Sequence, residues 1–185
     1  MRHRFPGKRL LNALVDLPLA VSPVVVGLAL ILIYGHYAPV GGWLERQGLQ
    51  VIFSLPGMVL ATVFVSLPLV VRAVVPVLEE LGEEQEQAAH TLGATGWQTF
   101  RRITIPGIRW ALAYGVVLCL ARALGEYGAV AVVSGRLVGQ TQTLTLFVEE
   151  RFQNFDQPAA FAAATALALM AIVTLLLTKF LRPKD

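Results

Sequence analysis

Two ionisable side chains lie where ionisable side chains are expensive. Arg122 and Glu126 stand inside a long apolar block, four residues apart, which puts them on one face if the block is helical. Facing lipid at a helix centre, each would cost about 2.5–3.5 kcal/mol. They must therefore pair or face an aqueous cavity, and residues so placed are functional candidates. Two roles stay open: Arg122 helps an anion cross while Glu126 holds it in place, or the two form a pair that fixes helix packing. Other reactive types offer less. His3, His36 and His90 are scattered, and no H-E-x-x-H or paired-carboxylate spacing accompanies them, so neither a metal site nor a catalytic residue is expected. The single cysteine, Cys119, excludes disulfides and cysteine-rich metal sites. Asp16 reads as a cap or interfacial residue, and Glu149, Glu150 and Arg151 as a solvated face or a partner contact. Gly7-Lys8 lacks the upstream glycine and following hydroxyl of a GxxxxGK[ST] phosphate loop. No nucleotide or other cofactor is expected on this chain.

The elements that position these residues follow from composition. Of 185 residues, 56% are hydrophobic and only 15% charged, with a mean hydropathy of +0.65; a soluble domain carries closer to a quarter charged residues. Crossing the hydrocarbon layer takes about 20 mostly apolar residues. Four blocks qualify, at Leu17–Gly35, Ile52–Leu78, Ile108–Val133 and Ala159–Leu181. The basic stretch before the first resembles a signal, but its apolar run is too long and no small-residue cleavage site follows His36. The fold class expected is all-α, a polytopic transmembrane helical bundle of about four spans in one domain, 1–185. Ten basic residues border the spans on one side (Arg2, Arg4, Lys8, Arg9, Arg101, Arg102, Arg109, Lys179, Arg182, Lys184) against three on the other (Arg46, Arg136, Arg151). That bias puts both termini and the loop between spans two and three in the cytoplasm. Because the cations border spans, a net charge of +3 is no nucleic-acid footprint. Small residues recur every four positions at Ala121, Gly125, Ala129 and at Ala160, Ala164, Ala168, ladders that let helices approach closely.

The cytoplasmic loop, 79–106, has more order than a connection needs. After an acidic run (Glu79, Glu80, Glu83, Glu84, Glu86), a short helix is expected from about Glu83 to Leu92, favoured by acids at its start and ended by Gly93. Thr95 and Gln98 stand in capping-box relation and start a second. Trp97, Phe100 and Ile103 share one side of it, and Pro106 is expected to stop it before span three. A helix–turn–helix with exposed apolar residues suits a cytoplasmic partner.

The residues of this loop resemble a known family. Gln87-Ala88-Ala89, then Gly93, then Ile103-Thr104-Ile105-Pro106 fits, spacing for spacing, the EAA loop of ABC importer permeases. Gln87 stands where the glutamate usually is, with Glu86 adjacent, so either could make its polar contact; Ile105 replaces a leucine. Asp16-Leu17-Pro18 with Ser22-Pro23, Leu55-Pro56-Gly57 and Arg122-Ala123-Leu124-Gly125-Glu126-Tyr127-Gly128-Ala129 resemble the sulfate/molybdate branch. Val133-Ser134-Gly135-Arg136, Gly139-x-Thr141-x-Thr143-Leu144 and Phe147-Val148-Glu149 lean towards its sulfate and thiosulfate permeases, the CysW-like group.

The resemblance implies a MetI-like permease fold in a bacterial inner membrane, importing sulfate or thiosulfate, with molybdate or tungstate as the alternative cargo. It implies no enzyme activity in this chain: ATP is hydrolysed on partner ATPase subunits that receive Glu86, Gln87, Ala88, Ala89, Gly93, Ile103 and Pro106 of the coupling loop. A second permease subunit and a periplasmic sulfate-binding protein complete the implied assembly. Family members usually carry six spans, and Phe5–Arg9 resembles the connection after their second. Two N-terminal spans are thus expected to be missing, with a non-conducting fragment that only binds the ATPase as a further alternative.

Overall fold

The computed structural model describes residues 7–181, all helix and connection, with no strand among them. Arg2, Arg4, Phe5 and Pro6 at one end, with Arg182 and Lys184 at the other, lie outside the described residues, as does His3.

The first apolar block differs from expectation. It forms two helices, α1 (Lys8–Ala20) and α2 (Pro23–Tyr34), bent by 113° at their junction. The cause is local. Val21 is extended at φ −98°, ψ 141°, and Ser22 takes φ −59°, ψ 134°, because proline forbids its predecessor the helical region. Pro23 then opens α2, where its missing N–H costs nothing. A short outer helix α3 (Pro39–Arg46) leads to α4 (Leu55–Glu80), whose 26 residues run past Pro68 and Pro76.

The loop helix α5 (Glu84–Thr91) ends at Gly93, which takes φ 83°. After it, Thr95 and Gln98 form both bonds of the capping box and start α6 (Gly96–Thr99). Pro106 does not stop this helix. A π turn (Phe100–Thr104) carries it into α7 (Ile105–Leu124), giving one continuous helix of 29 residues, Gly96–Leu124. In a regular α ladder Pro106 would lack its bond to the carbonyl of Arg102 and press its ring on it. The wider π turn re-registers the ladder just ahead of the proline.

The third block also breaks. The helix stops at Gly125, and a separate short helix α8 (Gly128–Val133) follows. The expected ladder Ala121–Gly125–Ala129 therefore spans two elements instead of one helix face. Helices α9 (Leu144–Gln153) and α10 (Gln157–Leu181) complete the chain. Among the described residues, three helices are long and apolar enough to cross a membrane, giving three spans, or four with α1–α2 counted as one broken span.

The core gathers where α2, α4 and α8 meet, around Val26, Leu30, Ala61, Val65, Ala129 and Val133. Gly27 permits this meeting: a Cβ there would lie 2.8 Å from the Cβ of Val132 and 3.0 Å from the Ala129 carbonyl. Gly115 does the same for α7 against α4, where a Cβ would stand 3.0 Å from the Cα of Val70.

Candidate functional site

Between α4 and α7 runs a cleft of about 470 Å³, walled by apolar side chains such as Val59, Val63 and Leu120, with Thr62, Ser66, Glu126 and Thr143 as its polar lining. Glu126 sits at the break after α7, past the last helical turn, so it does not share a continuous helix face with Arg122. The two are nevertheless brought together: Arg122 Nη2 lies 3.3 Å from Glu126 Oε2. That contact is one of charge, since Oε2 makes no directed hydrogen bond. The Glu126 side chain is 2% exposed and that of Arg122 41%. The other carboxylate oxygen, Oε1, accepts the Ala129 N–H at 3.1 Å, in the first turn of α8. The Glu126 carbonyl accepts the Thr145 hydroxyl at 3.1 Å. A single residue thus joins α7, α8 and α9 at the end of the cleft. The sequence singles out Arg122 and Glu126 by charge. Thr143 and Thr145 carry no such signal, being ordinary helix-start residues; Thr143 also caps α9 by accepting the Leu146 N–H.

Beyond the break, Glu149 accepts from the Tyr127 hydroxyl and from Gln153 Nε2, and pairs with Arg136 Nη1 at 3.1 Å. Glu150 accepts from Gln142, and Arg151 lies over the Phe147 ring and pairs with Asp156. The stretch read as a solvated face or partner contact is therefore internally tied.

On the opposite end, the loop folds against the long helices. Glu86 accepts the Thr104 hydroxyl at 2.7 Å, tying α5 to the π turn. Glu86 is half-buried there, whereas Gln87 is exposed. Ala89 and Ile103 are half-buried, and Ala88, Gly93 and Pro106 are exposed. The apolar side chains left to solvent are large: Leu92 is 88% exposed and Trp97 68%, with the Trp97 and Phe100 rings 5.8 Å apart. Among the described residues no group of three His, Cys, Asp or Glu could hold a metal ion.

Known proteins resemble this chain. Residues 1–184 match the family model described as the binding-protein-dependent transport system inner membrane component. The sulfate transport system permease protein CysW of Synechocystis sp. is 55% identical over 99% of this chain and 66% of its own. CysW of Escherichia coli is 54% identical over 98% and 62%, and CysT of the same organism 43% identical over 94% and 63%. This chain thus spans about two thirds of the length of the curated relatives it matches. A crystal structure of a bacterial ABC transporter that imports the acidic polysaccharide alginate superposes with a TM-score of 0.71 at 19% identity, covering 97% of this chain and 67% of that one. At that identity the likeness concerns the fold, which is the MetI-like permease fold. With all but its last residue matched, the chain belongs to the family of binding-protein-dependent transport system inner membrane components.

Proposed function

We propose that this chain is a permease subunit of an ATP-driven importer, acting as one unit, with sulfate or thiosulfate as cargo. The observation that carries the cargo is the 54–55% identity to proteins named as sulfate permeases across nearly the whole chain. The mechanical part rests on the loop. Glu86, Gln87, Ala88, Ala89, Gly93, Ile103 and Pro106, with exposed Leu92 and Trp97, form the surface that docks into a partner ATPase, which binds the ATP. Because Thr104 holds Glu86, and the π turn continues into α7, displacement of α5 is passed along one helix to the break at Glu126. The basic borders put this loop and both termini in the cytoplasm of an inner-membrane topology. A second permease of the same fold and a periplasmic binding protein complete the assembly.

At the break, Arg122 lies beside Glu126 of the cleft lining, and it meets the dianion transiently; a tight site would slow release. Glu126 serves as the positioning residue, balancing that charge and holding α8. The test is labelled-sulfate uptake in a strain lacking its own sulfate permease, with ATPase, second permease and binding protein supplied. Uptake competed by thiosulfate and not by molybdate is expected. Competition by molybdate alone would overturn the cargo, and insertion with ATPase binding but no uptake of any oxyanion would make the chain a non-conducting binder. Gly93→Asp should abolish ATPase co-purification and uptake together; if both survive, the loop assignment is wrong.

A further inference from the structure

Strain and ion pairing converge near the end of the cleft away from the 79–106 loop. Three non-glycine residues among those described take a left-handed backbone, and two of them, Phe53 at φ 59° and Arg136 at φ 56°, lie at one corner. The Phe53 N–H donates to the Val133 carbonyl at 2.8 Å, joining the approach to α4 to the end of α8. Gly135, itself at φ 69°, packs on the Phe53 ring, where a Cβ would stand 3.0 Å from Cδ1. A left-handed non-glycine residue persists only where its surroundings over-determine it, and such residues gather at clamps and switches. Here the surroundings do so: the Arg136 N–H donates to the Ser134 hydroxyl at 3.2 Å, and the Thr141 hydroxyl donates to the Ser134 carbonyl.

What this corner secures is the direction of one side chain. The Arg136 guanidinium reaches α9, with Nη1 3.1 Å from Glu149 Oε2, and its Nη2 donates to the Tyr127 hydroxyl oxygen at 3.5 Å. Tyr127 in turn donates its hydroxyl to Glu149 Oε1. Tyr127 follows Glu126 in the break, and Glu149 stands one turn beyond Thr145 on the same face of α9. Two adjacent residues of the break therefore hold two successive turns of α9, Glu126 through Thr145 and Tyr127 through Glu149. The body of α9 packs on α10, so these side-chain ties fasten it to the break.

We infer that Tyr127, Arg136 and Glu149 form a latch that fastens α9 to the break, and that its release opens the cleft at that end. All three are positioning residues, acting through Glu126 and the break without touching cargo. The latch has two settings because of the corner. In one, Arg136 stays left-handed with its head on Glu149; in the other, the pair parts and nothing holds the strained backbone in place. The inference takes its purpose from the transport reading above, but its test uses neither cargo nor ATP, so each can fail alone.

Cys119, the one cysteine of the chain, lines the cleft and serves as reporter. Spheroplasts carrying the chain with its partner subunits would be treated with a membrane-impermeant methanethiosulfonate, and labelling of this chain read by mass spectrometry per inserted molecule. Wild-type labelling should be slow. Tyr127→Phe, Arg136→Gln and Glu149→Gln should each speed it about tenfold, the weight of one hydrogen bond to a charged group. Arg136→Gln combined with Glu149→Gln should speed it no further than either alone, because the two act as one device. Arg136→Lys, which keeps the charge, should stay close to wild type. Unchanged rates in the single variants, effects that multiply in the double variant, or a speeding seen only in inside-out vesicles would each overturn the latch. If Glu149→Gln fails to insert, Tyr127→Phe combined with Arg136→Gln carries the same comparison.

Discussion

Glu126 does with one residue what three helices need at their junction, and its parts can be separated by substitution. Glu126→Ala strands the Ala129 N–H and leaves Arg122 without its counter-charge, a loss expected to reach about 1–3 kcal/mol. Glu126→Gln keeps an acceptor for that N–H and should cost less. Unfolding midpoints of the two purified variants check the order; equal losses would mean that the capping bond contributes nothing. Arg122→Ala separates transport from packing, since a pathway role lowers sulfate uptake per inserted molecule and a packing role lowers only the amount inserted. Phe155 offers the opposite kind of test. It is 88% exposed at φ 60°, a left-handed position that costs a non-glycine residue about 1–2 kcal/mol. Asparagine tolerates that region, so Phe155→Asn should raise stability by up to about 1 kcal/mol in the same assay.

Among the elements, close approach is the vulnerable feature. Gly27 has no room for a side chain against α8, so Gly27→Val should overpack the α2–α8 contact by about 1–3 kcal/mol, read as a lowered unfolding midpoint. The same change at Gly96, where a Cβ meets nothing within 4 Å, should do far less. The elements also show which parts of the fold were legible. Hydropathy located every apolar block, and the Thr95–Gln98 box and the Gly93 terminus were readable because each uses a local side-chain or backbone rule. The continuation past Pro106 was not, because a π turn leaves no mark in an i, i+3, i+4 pattern. The break at Gly125–Tyr127 was hidden too: Ala129, Val130 and Val133 are as apolar as α7, and hydropathy cannot tell a crossing helix from a short one folded back on the core. The pairing of Arg122 with Glu126 was anticipated from spacing four, but the geometry that delivers it is a helix end instead of a helix face. The 113° corner at Ser22-Pro23 depends on two successive extended residues, which composition does not reveal.

At the scale of the whole molecule, that corner at Val21–Ser22 has a mechanical consequence. One arm, α1, is tied through Asp16 to Arg72 of α4, the helix that leads into the 79–106 loop. The other arm, α2, is seated without clearance against α8 beside the cleft. The arms measure about 20 Å and 18 Å from their 13 and 12 residues. Two rigid arms set at such an angle form a bell crank: a pull along one arrives at the other as a sideways swing. Relaxing the corner with Pro23→Ala and Ser22→Ala should therefore spoil the stroke while leaving the motor intact. In reconstituted vesicles the sulfate carried per ATP is expected to fall, with ATP turnover unchanged. If the proposed function holds, a stiff corner gears the two faces of the membrane together, and a slack one lets a partner ATPase idle.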